Sequence, residues 1–203
     1  MDVTSVVFDI GNVLVRWDVR ALYRSVFDDP DEMERFLAEV WTHAENDRCD
    51  RGEPFATVIA ETAARHPHYA REIALVWDRW IETVPGPVPG TQEILVELAD
   101  AGVPVFALSN FSAETFPLMR DAHPSFERFD DVVLSGEHAP HAKPDAAIFE
   151  RLLERNGLTA ASTLFIDDAP ANVEAAAALG FHSVLFTDAE SLRSQLVEFG
   201  LLD

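Results

Sequence analysis

The sequence predicts an α/β protein: a parallel β-sheet covered by helices on both faces, with a small all-helical segment inserted after the first strand. Short apolar runs recur along the chain and are typical of buried strands. Helix-like segments separate the later runs, which is the alternation expected of a parallel sheet in a three-layer core. The predicted strands are residues 3–8, 103–108, 132–134, 163–166 and 183–186.

The first predicted strand ends at a carboxylate, Asp9, which a Gly-Asn pair follows at once. Open α/β folds bind ligands where the carboxyl ends of their strands meet. Asp9 is therefore the first candidate for a functional residue. Taken alone, an aspartate in this place is more often a residue that ends a strand or caps a turn.

A helical insertion is predicted between the first and second strands. From residue 18 to residue 84 the hydrophobic pattern is helical, and no strand candidate interrupts it. Trp77 and Trp80 lie at helical spacing and are expected in the insertion's own core, whereas Trp17 is expected to face a pocket.

The insertion ends in the sequence PGPVPG, which cannot continue a helix and indicates a hinge or linker. We therefore predict two units. Residues 1–15 and 86–203 form the core, and residues 16–85 form the helical insertion.

Four helices are predicted in the remaining core. They span residues 91–101, 113–122, 145–156 and 171–179. Gly102, Gly157 and Gly180 follow three of them, at the place where a left-handed residue commonly ends a helix. This spacing supports the three-layer prediction.

The composition indicates one sizeable core and excludes one class of partner. Of the 203 residues, 48% are hydrophobic, which suffices for a core with an insertion. The formal net charge of −21 argues against nucleic acid, because phosphate backbones are bound by clustered Lys and Arg. An anionic substrate would need a local positive charge, and a divalent cation is the obvious candidate.

The compartment and the oligomeric state are also expectations. No apolar stretch is long enough to cross a bilayer, and the first residues lack the basic region of a secretory leader. These features predict a cytoplasmic protein without a membrane partner, present as a monomer or a weak homodimer. The single cysteine, Cys49, has no partner for an internal disulfide or a thiolate metal cluster.

Polar residues end three of the predicted strands. Asp9 ends the first, Ser109 and Asn110 end the second, and Asp167 and Asp168 end the fourth. Because parallel strands end at the same edge of a sheet, these side chains are expected to converge on one crevice. Each has a structural explanation alone, since Ser, Asn and Asp also cap helices. Together they predict a site.

Lys143 is the only lysine in the chain, and every other basic residue apart from histidine is arginine. A retained lysine indicates that a compact ammonium is needed, such as one that bridges a carboxylate and a phosphoryl oxygen. His138 and His141 flank Lys143, but no third ligand stands in a suitable place for a metal site.

These motifs resemble those of the haloacid dehalogenase (HAD) superfamily. Asp9 in FDIGNVLV, Ser109 in LSN, Lys143 in KPD and the aspartate pair in FIDDAPANVEAA stand in the order and approximate spacing of its four motifs. The resemblance covers nearly the whole chain. It implies a Rossmann-like core with the small helical cap, called C1, of the first subclass. FDIGNV further resembles a bacterial branch that includes glucose-1-phosphate phosphatases.

The resemblance implies a role for each residue. Asp9 would be the nucleophile, and Asp9, the Gly11 carbonyl and Asp167 would bind Mg²⁺. Ser109, Asn110 and Lys143 would bind the phosphoryl group, with Ser109 and Lys143 also assisting catalysis. Asp168 and Asn172 would support the metal site by contacting its ligands, without binding the ion themselves. These roles describe an Mg²⁺-dependent phosphomonoesterase that acts through an aspartyl-phosphate.

Gly11 departs from the pattern of the superfamily, because most of its phosphatases carry a second aspartate there as general acid and base. The absence of this aspartate predicts a preference for leaving groups that are already stabilised, unless the substrate, a water or a cap residue near Asp18 supplies the proton. The substrate would be a small phosphorylated metabolite, such as a sugar phosphate. Specificity is expected from Arg16, Trp17, Asp18 or a loop over residues 43–51.

Two alternatives stay open. The first is a 2-haloacid dehalogenase, which Gly11 and the paired Asp167 and Asp168 disfavour. The second is a catalytically silent relative that binds phosphate ligands.

Overall fold

A computed structural model describes residues 2–203, and its centre is a parallel sheet of five strands in the order β5-β4-β1-β6-β7. Two further strands, β2 and β3, pair antiparallel in a separate short ribbon. The strands are β1 (Ser5–Phe8), β2 (Val15–Arg16), β3 (Gly86–Pro87), β4 (Val105–Ser109), β5 (Asp131–Leu134), β6 (Thr163–Asp167) and β7 (His182–Leu185). All five predicted sheet strands are confirmed, with ends displaced by one to two residues.

Ten α-helices accompany the strands in the described residues. They are α1 (Val19–Tyr23), α2 (Pro30–Glu39), α3 (His43–Asp50), α4 (Phe55–Arg65), α5 (Ala70–Asp78), α6 (Thr91–Asp100), α7 (Phe116–Ala122), α8 (Ala146–Asn156), α9 (Pro170–Ala178) and α10 (Ala189–Glu198). The four predicted core helices correspond to α6, α7, α8 and α9. Helix α7 starts three residues later than predicted. Gly102, Gly157 and Gly180 all have positive φ, as predicted.

Alternate residues of β1 pack into different hydrophobic clusters, which produces the three layers. Val6 and Phe8 join the cluster that contains buried residues of α6 and α10. Val7 joins the second cluster, with buried residues of α8 and α9. Since side chains alternate across a strand, helices α6 and α10 cover one face of the sheet and α8 and α9 cover the other. The predicted α/β fold with a parallel sheet is confirmed.

Helices α1 to α5 lie between β2 and β3, and no strand interrupts residues 18–84, as predicted. Local capping explains where several of these helices start. The Asp18 carboxylate accepts the N–H of Arg20 at 3.0 Å before α1. Thr42 and Glu45 form a capping box at the start of α3. The predicted loop over residues 43–51 is therefore wrong, because this segment is almost wholly helical.

Buried residues of helices α1 to α5 belong to the same hydrophobic cluster as those on one face of the sheet. Trp80 is buried, and its ring meets Phe111 of the core edge-on, with centroids 5.4 Å apart. The expectation for Trp77 is wrong, because this residue is 43% exposed, although its ring contacts that of Phe55 with centroids 5.4 Å apart. Trp80 therefore joins the insertion to the core instead of filling the insertion alone.

Two connections join the insertion to the core, and they form the ribbon. Val15 pairs with Pro87, and Arg16 pairs with Gly86. The predicted boundary between residues 15 and 16 thus falls within a paired strand. Among residues 2–203, the structure contains no helix with the length and apolarity needed to cross a membrane.

Candidate active site

The three polar strand endings meet at one edge of the sheet. Strand β1 lies in the centre, with Phe8 level with Ala107 of β4 and Ile166 of β6. Asp9 therefore leaves the sheet between the ends of its two neighbours. The convergence expected from parallel strands is present.

Lys143 lies between two carboxylates. Its Nζ is 2.8 Å from Asp9 Oδ1 and 2.6 Å from Asp167 Oδ2, and its side chain is 1% exposed. The Asn110 side chain holds the lysine backbone by two reciprocal hydrogen bonds: Lys143 N–H donates to Asn110 Oδ1 at 2.7 Å, and Asn110 Nδ2 donates to the Lys143 carbonyl at 2.9 Å. Burial lowers the pKa of Lys143, but the Asp9 and Asp167 carboxylates outweigh it and raise that pKa. The ammonium is thus held charged.

Asp9 is a buried carboxylate with mixed surroundings. Ser109 Oγ donates to Asp9 Oδ1 at 2.8 Å, the oxygen that also meets Lys143. Burial raises the pKa of Asp9 to about 6; Lys143 opposes this shift and Asp167 adds to it. Without its lysine neighbour, Asp9 would hold its proton more firmly.

Asp167 is fully buried and is held from several directions. Its Oδ1 accepts the Ala169 N–H at 2.8 Å, and Asn172 Nδ2 lies 3.0 Å from each carboxylate oxygen. Helix α9, which begins at Pro170, presents these donors. Asn172 therefore fixes the orientation of Asp167, as expected for a supporting residue.

A carboxylate cluster at this edge fits a magnesium ion. Asp9, Asp167 and Asp168 each offer one oxygen, and the three oxygens lie within 4.8 Å of one another. Hard divalent cations prefer such oxygen ligands. Asp168 is exposed to the cavity, while Asp167 is largely engaged by Lys143 and Asn172. Asp168 thus belongs to the carboxylate cluster itself, whereas the sequence predicts it behind the metal ligands.

The turn after β1 shapes the rim of the site. Asn12 has a positive φ of 56°, and its Oδ1 accepts the N–H of Trp17 at 3.1 Å. Gly11 lines the cavity, and a Cβ added there would meet no atom within 4 Å. The first carbon of a side chain therefore fits at this position without a clash.

A cavity of about 210 Å³ lies over these residues, between the core and the insertion. Its core wall includes most of the predicted site residues. They are Asp9, Gly11, Ser109, Asn110, Lys143, Asp168 and Asn172. Its other wall comes from Trp17, Trp80 and helix α3, which contributes His43, Asn46, Asp47 and Asp50. The expectation that Trp17 faces a pocket is confirmed.

Other candidates lie away from the cavity. Asp18 caps α1 and pairs with Arg24 at 2.9 Å. Neither Asp18 nor Arg16 lines the cavity. His138 and His141 line a separate depression beside α8. From the sequence, Asp50 is included only within the range 43–51 and is not singled out, because nothing local distinguishes it from its charged neighbours.

A three-layer α/β core with a carboxylate, a lysine and further acids at its carboxyl edge defines a class of hydrolases. Residues 3–180 match the family described as haloacid dehalogenase-like hydrolase. The match spans most of the chain, so the protein belongs to this family.

Two curated relatives and one crystal structure illustrate the similarity. The drimenol cyclase drtB of Aspergillus calidoustus is 26% identical over 196 residues, which are 96% of this chain and 36% of that protein. The sesquiterpene phosphatase astK of Aspergillus oryzae is 35% identical over 95 residues, covering 47% of this chain and 48% of that protein. The chain thus spans at most about half the length of these relatives.

The crystal structure is that of a HAD family enzyme from Bacteroides thetaiotaomicron in complex with magnesium and inorganic phosphate. It is 19% identical, covers 92% of this chain and 95% of that chain, and has a TM-score of 0.67. At this identity the likeness shows the shared fold.

Proposed function

We propose that the protein is a Mg²⁺-dependent phosphomonoesterase that hydrolyses a small phosphorylated metabolite through an aspartyl-phosphate on Asp9. One observation carries the proposal: a buried lysine bridges Asp9 and Asp167 beneath a cavity that Asp168 also enters. Three ionised carboxylates against one ammonium leave a net negative site, which suits a divalent cation. The structurally similar enzyme from Bacteroides thetaiotaomicron was crystallised with magnesium and inorganic phosphate, which is consistent with the proposed function.

The chain's own residues account for the chemistry. Asp9 attacks phosphorus in line, because one of its oxygens is held by Ser109 and Lys143 while the other is free to react. In the proposal, Ser109, Lys143 and the backbone at Asn110 bind the phosphoryl oxygens. The ammonium of Lys143 offsets charge that develops in the transition state.

The metal ligands proposed here are Asp9, the Gly11 carbonyl and Asp167, with Asp168 as an additional carboxylate. A magnesium ion bound there would neutralise phosphate charge and orient the phosphoryl group. Asn172 keeps Asp167 in position through its two contacts at 3.0 Å. We further propose that residues 16–85 act as a cap over the core formed by 1–15 and 86–203.

The cavity walls support a substrate with an apolar surface on its leaving group. Trp17, Trp80 and Phe111 line the cavity beside the polar floor. A sugar phosphate, whose ring presents a C–H face to aromatic side chains, fits this description. A prenyl monophosphate is the second candidate, favoured by the same aromatic walls and by the similarity to a sesquiterpene phosphatase.

A substrate panel tests the proposal. Glucose 1-phosphate, p-nitrophenyl phosphate, farnesyl monophosphate and 2-chloropropionate are assayed with Mg²⁺ and with a chelator. We expect phosphate release that needs Mg²⁺ and is lost in Asp9→Asn. Chloride release that persists in chelator would instead identify a dehalogenase. Tight phosphate binding without turnover of any ester would identify a silent relative.

A further inference from the structure

The position that usually supplies a proton in this family's phosphatases is Gly11, which carries no side chain. The sequence directs attention to the cap near Asp18, but the structure removes that residue from consideration. The Asp18 carboxylate accepts from Arg20 and Arg24, and it lies outside the cavity. A donor for the leaving group must be sought among the groups that line the cavity.

Asp50, at the end of α3, is a carboxyl group that lines this cavity from the cap side. Its Oδ1 accepts the Ser112 N–H at 3.1 Å, and its Oδ2 lies 2.7 Å from Asn46 Nδ2. Its main-chain carbonyl accepts the Ser135 hydroxyl. Because Ser112 and Ser135 belong to the core, these bonds fix Asp50 to the core wall although it belongs to a cap helix.

The residues that follow Asp50 also contact the core closely. We call this contact between residues 51–52 and residues 136–140 the joint. Arg51 Nη1 donates to the Pro140 carbonyl at 3.1 Å. A Cβ on Gly52 would lie 2.8 Å from the carbonyl oxygen of Gly136. The end of α3 therefore has a defined position over the site, which a group that transfers a proton requires.

The other side chains of α3 in the cavity wall are poorer donors. Asp47 is about 41% exposed, and its carboxylate is engaged by the Arg51 guanidinium at 2.9 Å. Asn46 has no acidic proton. Asp50, in contrast, has no Lys, Arg or His nitrogen within 4 Å in the part of the chain that the structure describes.

Burial raises the pKa of Asp50 to about 8; the Ser112 N–H opposes this shift, and the Asp47 carboxylate adds to it. At neutral pH the group therefore carries its proton. Other titratable side chains share its surroundings. They are His43 and Asp47 on α3, Asp9, Lys143 and Asp168 across the cavity, and Cys49 and Glu114 beside the joint.

We propose that Asp50 is the general acid and base that replaces the carboxyl missing at position 11. This inference rests on the proposed phosphatase function. As Asp9 bonds to phosphorus, the bond from phosphorus to the leaving oxygen breaks, its electron pair stays on that oxygen, and the oxygen takes the Asp50 proton. The Asp50 carboxylate then removes a proton from the water that attacks the aspartyl-phosphate, which releases phosphate and restores both side chains.

With Asp50 in this role, substrates do not need a stabilised leaving group. The wild-type value of kcat/KM should vary little along a series from p-nitrophenyl to phenyl to alkyl phosphates. This differs from the expectation based on Gly11 alone.

The test is this ester series at saturating Mg²⁺, on the wild-type protein and on Asp50→Asn. The variant should lose kcat/KM by a factor that grows with the leaving-group pKa, reaching about 10²–10⁴-fold for alkyl phosphates. Asp18→Asn makes the same chemical change in a cap carboxylate outside the cavity and should leave the series unchanged. Adding Gly11→Asp to Asp50→Asn should restore the flat series, because a Cβ at position 11 meets no atom within 4 Å and the new carboxyl group would line the same cavity.

The pH profile gives a second readout that needs no variant. For an alkyl phosphate, wild-type kcat/KM should fall as the pH rises through about 8, because the donor loses its proton. For p-nitrophenyl phosphate the fall should be small. If Asp50→Asn does not fold, this pH profile of the wild-type protein tests whether Asp50 is the proton donor.

Failures of the two proposals are distinguishable. If the wild-type protein hydrolyses no ester, the phosphatase function is wrong. If it hydrolyses the series but Asp50→Asn loses the same factor for every ester, or loses nothing, Asp50 is not the proton donor. A double variant that stays as slow as Asp50→Asn on alkyl phosphates would also overturn the assignment.

Discussion

Replacing Lys143 by methionine tests the electrostatic core of the site without relying on activity. The ammonium lies 2.8 Å from Asp9 and 2.6 Å from Asp167, and its side chain is 1% exposed. At an effective dielectric constant of about 20, each contact contributes roughly 6 kcal/mol of attraction before desolvation offsets it. Removing one member of a buried ion pair typically destabilises a protein by about 3–5 kcal/mol. We expect a loss in this range for Lys143→Met near pH 8.

The sign of the pH dependence follows from Asp9. Its pKa is already raised to about 6 by burial, and loss of the lysine raises it further. A carboxyl group whose folded-state pKa exceeds its unfolded-state pKa destabilises the folded protein as the pH rises from the unfolded-state value to the folded-state value. The penalty of Lys143→Met should therefore be smaller at pH 5, where Asp9 is protonated, than at pH 8. Added Mg²⁺ should recover part of the loss at pH 8, because it supplies positive charge to the same carboxylates.

The assay is urea unfolding at pH 5 and pH 8, with and without Mg²⁺. Arg20→Met is the control, because Arg20 pairs with Glu34 on the surface, where both side chains are nearly half exposed. That variant should lose no more than about 1 kcal/mol at either pH. If Lys143→Met behaved like the control, or lost the same free energy at both pH values, the buried triad would not have the energetic role assigned to it.

Three further predictions concern single residues. Asp9→Asn should lower hydrolysis by more than about 10³-fold without unfolding the protein, because it removes the attacking charge and keeps the shape; near-normal turnover would contradict the covalent route. Asp168→Asn should raise the Mg²⁺ concentration for half-maximal activity by about 10–100-fold, and an unchanged Mg²⁺ titration would remove Asp168 from the metal site. Gly52→Ala should destabilise the protein more than Gly102→Ala. Both glycines have positive φ, which alone costs alanine about 1 kcal/mol, but only at Gly52 would the new Cβ approach a carbonyl, that of Gly136, at 2.8 Å. Equal losses in urea unfolding would show that the joint between cap and core is looser than its geometry indicates.

The local features of the fold were predictable where the pattern was strong. The first strand could be predicted from the sequence because its four residues are all buried. A central strand is covered on both faces, and this requires a mostly apolar run. Helix α10 was not predicted, although Asp188 caps it and Leu192 and Leu196 form its buried side. Its signal is the capping aspartate followed by leucines four residues apart. The β2–β3 ribbon has no comparable signal, because two-residue strands form only through each other.

The candidate site likewise has features that the sequence predicted and features that only the structure shows. The order of motifs in the sequence predicted Asp9, Ser109, Lys143 and Asp167. The parallel sheet brings Asp9, Ser109 and Asp167 together because strand ends share an edge, and Lys143 reaches them from the loop between β5 and α8. The side-chain contact of Asn110 with the backbone of Lys143 could not be predicted, since it depends on how two distant loops meet.

The sequence by itself determined the α/β class, the helical insertion and the choice of Asp9 as the candidate nucleophile, because each depends on periodicity or on residue order along the chain. Only the tertiary structure decided which cap residues reach the cavity. Asp18 lies close to the nucleophile in sequence but is turned to the start of α1, whereas Asp50 is distant in sequence and lines the cavity. The physical reason is that residues more than sixty positions away hold Asp50 in place: its Oδ1 accepts the Ser112 N–H, and its main-chain carbonyl accepts the Ser135 hydroxyl.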